Sequence, residues 1–193
     1  MIVSRRLRRH NPMRTLAYCL TTLILGPCVL ACLSLSAGCA SPAKSRAMIP
    51  TGFQHANQHP NSVLVQVGGE NGADAGFNMA TISPDAFREA LVAAIQGSRI
   101  FTSVQPQPPA DYRLNVSIVQ AKPKGALTTD TTMTARWELI RSSDGKGVFN
   151  EFIESSGESK FTIGPARMRH SFECAGRENI RLGLAKIAEL DLQ

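Results

Sequence analysis

Between Tyr112 and Ile118 the chain alternates without a break. Tyr112, Leu114, Val116 and Ile118 are apolar, and Arg113, Asn115 and Ser117 between them are polar. Successive side chains on a strand point to opposite faces, so this pattern predicts a strand with one dry and one wet side. The pattern returns at Met133, Ala135, Trp137 and Leu139, after a loop expected over 121–131. Ser142-Ser143-Asp144-Gly145-Lys146-Gly147 then supplies turn residues before Val148–Ser155, which predicts a hairpin. Antiparallel strands of this kind commonly leave one sheet face to water. Helices are therefore expected on one face of the sheet.

Two helices are expected there. Ser83-Pro84-Asp85 opens the first: Ser83 can accept a bond from a first-turn N–H, Pro84 suits the first helical position, and Asp85 complements the positive helix end. At 100° per residue Phe87, Ala90, Leu91, Ala94 and Ser98 share one face with Ile95 at its edge, and Gly97 is placed to end the helix. The second helix is expected from about Phe172 to Leu190, after a polar loop over 160–171 that contains Gly164-Pro165. Its buried face holds Phe172, Gly176, Ile180, Gly183, Leu184 and Ile187. Glycines on that face cost about 1 kcal/mol each in helix propensity, so close approach to the sheet is the expected compensation. Cys174 falls on the opposite, wet side. Val63–Val67 reads as a strand buried on both faces, Gly68–Thr81 as a glycine-rich loop, and Ile100–Val104 as a short strand.

The N-terminal part has a different character. Arg5, Arg6, Arg8, Arg9 and Arg14 lie in the first fifteen residues with no acid, and Leu16 to Gly38 carries no charge. A basic start, an apolar run and small residues at its end mark an export signal. Met13 is an alternative start. The run ends in Leu35-Ser36-Ala37-Gly38-Cys39, which resembles the lipobox of bacterial lipoproteins, with Leu35 one place further from the cysteine than that pattern has it. The resemblance implies cleavage before Cys39 and attachment of diacylglycerol to its thiol. Cys32 is a second candidate, but apolar sequence continues past it, whereas Ser41-Pro42-Ala43-Lys44 follows Cys39. Ala40 lacks the Asp that holds such lipoproteins at the inner membrane. The resemblance therefore implies the outer membrane, facing the periplasm.

With the leader set aside, the formal charge of +6 shrinks to 16 Lys and Arg against 15 Asp and Glu. That balance offers no electrostatic case for nucleic acid. Beyond the leader only Cys39 and Cys174 remain, so no internal disulfide framework is expected. Residues 40–62 are rich in Ser, Pro, Asn, Gln and His and are expected to form a flexible tether reaching about 25 Å. His55 and His59 are four apart, but Pro60 and polar surroundings argue for linker histidines and against a metal pair.

No Ser-His-Asp set, Cys-x-x-Cys or His-Glu-x-x-His occurs, and His170 has no nucleophile or orienting acid suggested beside it. Cys174 reads as a chance free thiol. Accordingly no catalytic residue, cofactor or metal ligand is assigned, and Cys39 is the one modification site.

The helix 83–98 followed by Ile100-Phe101, then Ala110-Asp111-Tyr112-Arg113-Leu114, the Trp137 hairpin and Ala175-Gly176-Arg177-Glu178-Asn179-Ile180 form a sequence of short phrases. Together they resemble small periplasm-facing lipoproteins: the enterobacterial-type group, and the auxiliary lipoproteins of ABC transport and lipopolysaccharide assembly. The resemblance implies a binding or assembly role beside another envelope protein or an amphipathic ligand. The alternative is an envelope enzyme acting on lipid or cell-wall material through scattered residues. The expected fold class is α+β, a mostly antiparallel four- to five-stranded sheet with two helices packed on one face. The expected organisation is a signal peptide over 1–38, Cys39 and tether over 39–62, and a single domain over 63–193.

Overall fold

The computed structural model describes residues 42–52, 57–69, 82–123, 130–159 and 164–192. The leader, Cys39 and most of the glycine-rich stretch lie outside the described residues. The elements run β1 (His59–Gly69), α1 (Pro84–Ser98), β2 (Phe101–Gln105), β3 (Tyr112–Pro123), β4 (Asp130–Arg141), β5 (Gly147–Glu158) and α2 (Gly164–Ala188), preceded by a 3-10 turn at Ser45–Met48. They form one five-stranded sheet in the order β2-β1-β3-β4-β5. β1 pairs in parallel with both β2 and β3, and the longer β3-β4-β5 pairings are antiparallel. The α+β class and the antiparallel meander are as expected.

The parallel half depends on a stagger. β2 is level with His59–Leu64 of β1, while β3 begins opposite Val63 and continues to Gly69. Because β2 ends where β3 starts, a short connector can carry the chain past β1. Asp111 fixes that passage: its Oδ2 accepts from Ser62 N and Ser62 Oγ, both at 2.7 Å, and its own N–H donates to Ser62 Oγ at 3.0 Å. These bonds, the Ser62 backbone N–H first, hold the Asp111 carboxyl below its ordinary range.

The dry face matches the alternation. Tyr112, Leu114 and Val116 of β3 and Met133, Ala135, Trp137 and Leu139 of β4 are all buried. Ser83 caps α1 by accepting from Ala86 N at 3.2 Å, and the face predicted for that helix, Ile95 included, is buried. α1 packs on β1 and β2, and α2 on β4 and β5. The face read for α2 is likewise buried, and both of its glycines are close contacts. A Cβ at Gly183 would lie 2.5 Å from Trp137 Cζ2, and one at Gly176 would lie 2.7 Å from Met48 Sδ. A third glycine, Gly157 of β5, abuts the backbone of Ser171 and Ala175. α2 is pinned there by a buried polar network. Trp137 Nε1 donates to Asn179 Oδ1 at 3.0 Å, Asn179 Nδ2 donates to Ile153 O at 2.8 Å, and Ser155 Oγ donates to Ala175 O at 2.9 Å.

Five sequence expectations need correction. Val63–Val67 is not buried on both faces: Val63 and Val65 are buried, but Leu64 is half-buried and Gln66 exposed, because helices cover one side alone. The loop expected over 121–131 is shorter, since β3 runs to Pro123 and β4 starts at Asp130. α1 runs past Gly97 to Ser98 and is capped not by a glycine but by Arg99, which takes the left-handed conformation (φ 57°) and donates its N–H to Ile95 O. α2 begins at Gly164, eight residues before Phe172, with Pro165 inside its first turn, where a missing N–H costs nothing. The segment expected to be a tether is in part structural: Ala43 and Met48 are 4% and 0% exposed, and His59 to Ser62 belong to β1. The turn at Ser45–Met48 packs against both helices and seals the gap between them.

Candidate functional site

Since α1 and α2 share one face, the other face of the sheet carries the side chains of the wet register. Strand pairing sets them in three rows: Leu64, Arg113 and Ile140; Gln66, Asn115, Glu138 and Asn150; and Ser117, Arg136 and Phe152. Asn115 Nδ2 donates to Glu138 Oε2 at 3.4 Å and Arg136 Nε to Asn150 Oδ1 at 3.1 Å, so the rows are laced across strands. Asn115 Oδ1 is shielded from solvent and has no hydrogen-bond partner among the described residues. Phe152 is 64% exposed, the one large hydrophobic so exposed among the described residues. It lies in register with Arg136. Aromatic residues and arginine, presented on a rigid scaffold, are the residue types that anchor protein interfaces.

A shallow depression of about 680 Å³ lies at the other end of the sheet, walled by Gln58, Pro60, Arg99, Thr102 and Ser103 among others. His59 borders it, but its imidazole Nε2 stands 3.0 Å from Ile187 O and its ring tilts against Phe101. Its role is to tie β1 to the end of α2. The linker-histidine reading is therefore replaced by a structural one. Residues 53–56, and with them His55, lie outside the described residues.

Cys174 is half-buried, less open than the wet-face reading had it. Arg177 Nη2 donates to its Sγ at 3.0 Å, and the His170 ring nitrogens stand 3.7 and 3.9 Å from the sulfur. A loop over 160–171, as the sequence predicts, would separate this pair. With α2 starting at Gly164, His170 and Cys174 are simply four apart on one helix face. The depression at β2 takes no wall from them. No group of three His, Cys, Asp or Glu able to hold a metal occurs among the described residues. No described helix is long and apolar enough to cross a membrane. Cys39, the predicted lipidation site, lies outside the described residues.

No protein-family model and no curated protein matches the sequence. The likeness is to solved folds. A protein of Xanthomonas campestris that carries the DUF330 family model is 18% identical, with 77% of this chain and 94% of that one covered and a TM-score of 0.57. The hypothetical protein CT253 of Chlamydia trachomatis is 11% identical over 67% of this chain and 96% of its own, with a TM-score of 0.54. A Caulobacter crescentus CB15 protein assigned as a lipoprotein is more distant, at 18% identity, 64% and 87% coverage and a TM-score of 0.44. At these identities the likeness establishes the fold and nothing finer.

Proposed function

We propose that the chain is a non-catalytic binding or assembly module of the bacterial envelope, held to the outer membrane on its periplasmic side by lipid on Cys39. The observation that carries this reading is the one-sided sheet. Two helices occupy one face, and the opposite face presents rigid rows of polar side chains with Phe152 and Arg136 in register. The occupant we assign to that face is another envelope protein, which would bury the Phe152 ring and satisfy Asn115 Oδ1. An enzyme would need reacting groups converging on a cavity. Here the imidazole at the depression is committed to Ile187, and the Cys174 cluster lies away from it.

Site-specific photo-crosslinking in cells tests the reading. A crosslinker in place of Phe152 should give one discrete adduct, identified by mass spectrometry as an envelope protein. The same group in place of Glu89, on the exposed side of α1, should give none. Equal labelling from both positions, or none from either, would count against the face.

A further inference from the structure

We infer that the surface formed by the turn Ser45–Met48 and the N-terminal part of α2 is the face that rests on an anionic bilayer, with Lys44, Arg46 and Arg169 directed to lipid phosphates. This rests on lipidation of Cys39, as proposed above, and goes beyond it by assigning the surface that meets the membrane.

The first argument is chain length. Pro42 is the third residue after Cys39, and an extended chain covers at most about 3.6 Å per residue, so their Cα atoms stand no more than about 11 Å apart. Beyond that point the chain is fixed to the body. Ala43 is buried, Lys44 N donates to Glu173 Oε1 at 3.0 Å, and Met48 is 0% exposed against Gly176. A tether of some 25 Å would let the body float clear of the headgroups. A link of three residues, with acyl chains holding Cys39 in the interface, brings this part of the body to the headgroups first.

The second argument is charge. Residues 42–52 carry Lys44 and Arg46 and no acid, and residues 164–172 carry Arg167, Arg169 and His170 and no acid. The two segments are joined through Glu173, the first acid on α2. That carboxylate is 6% exposed and already engaged by the Lys44 N–H and by Arg169 Nε at 3.6 Å. The nearest other acids in the fold are Asp85, which opens α1, and the paired Asp130 and Glu158, whose neighbours Thr131 and Gly157 meet Ser171 on the sheet side of α2. The Lys44 and Arg46 residues are exposed. A basic surface of this kind, placed beside an acylated cysteine, is complementary to anionic headgroups, and the second signal strengthens a lipid anchor.

Full-length acylated protein is reconstituted into vesicles of phosphatidylcholine, or of phosphatidylcholine mixed with phosphatidylglycerol. Each set is doped with a lipid of its own headgroup class bearing a photoreactive headgroup. Intact mass is measured first, and adducts are then mapped to peptides. Adducts should fall on the peptides holding Lys44–Ala47 and Arg167–His170, be enriched in phosphatidylglycerol vesicles and fade in high salt. The exposed double variant Lys44→Glu, Arg46→Glu, shown by circular dichroism to be folded, should lower their yield by about fivefold or more, the factor for one basic residue near an anionic surface. A chain without acyl mass on Cys39 overturns both the anchor and this inference. An acylated chain whose adducts ignore lipid charge, or fall on the Phe152 face, overturns this inference alone.

Discussion

A side chain at Gly183 would enter space already taken by Trp137. An ideal Cβ there lies 2.5 Å from Cζ2 and 2.6 Å from both Cε2 and Cη2, about 1 Å inside ordinary contact. The ring has little freedom to yield: Trp137 is 0% exposed, and its Nε1 is held by Asn179. In Gly183→Leu, α2 must therefore lift off β4, or the indole must leave its site. Replacing a helical glycine stabilises by about 1 kcal/mol, whereas overpacking costs about 1–3 kcal/mol. Lifting α2 also strains the Asn179 bonds, worth about 1 kcal/mol each. The expected net loss is about 1–3 kcal/mol, a fall in thermal midpoint of about 3–10 °C for a domain of this size. Gly176→Ala meets the end of Met48, a flexible side chain, and should change stability by less than about 1 kcal/mol. Ala185→Leu, at a partly exposed position of the same helix, is the control. Far-ultraviolet circular dichroism in detergent reads all three. If Gly183→Leu melts at or above the wild-type temperature, α2 does not pack through this glycine and the reasoning fails.

Asn179→Leu removes the acceptor for the Trp137 N–H and a donor to Ile153 O; leaving those buried groups unpaired should cost about 1–3 kcal/mol and alter the near-ultraviolet signal of the lone tryptophan. Met48→Ala should cost about 2–5 kcal/mol by denaturant unfolding, which a residue in a loose tether would not. Acid should weaken the fold. The Ser62 bonds lower the Asp111 carboxyl, the Lys146 N–H lowers Asp144, and the Arg181 side chain lowers Glu178. Each folded-state value lies below its unfolded value, so the stabilisation is complete above the ordinary carboxylate range and is lost as pH falls through the folded values. Thermal midpoints should fall across that window in wild type and fall less in Asp111→Asn.

The meander was legible because period-2 alternation at Tyr112–Ile118 and Met133–Leu139 reports a half-covered sheet directly. The apolar run of β1 was misread for a related reason: Leu64 reveals its own hydrophobicity but not whether anything lies over it. Gly176 and Gly183 announced close approach through their cost to the helix, yet nothing in the sequence said that Met48 or Trp137 fills the space. Met48 is one of a few large apolar residues in a polar stretch, with no periodicity to announce it, so its burial depends on the gap between two helices remote in sequence. Gly164-Pro165 read as a loop, although Pro in a first turn is compatible with a helix. That error hid the His170–Cys174 spacing. The open face was implied by the alternation, while the exposure of Phe152 depends on β5 being an edge strand with no helix on that side.

The claim on which localisation, tether length and the membrane-facing surface all depend is lipidation of Cys39. Intact-mass measurement of the protein extracted from bacterial envelopes tests it most directly. The account predicts a chain beginning at Cys39 and carrying the mass of diacylglycerol, absent from Cys39→Ser. A chain that starts elsewhere, that is acylated at Cys32, or that carries no lipid would contradict it.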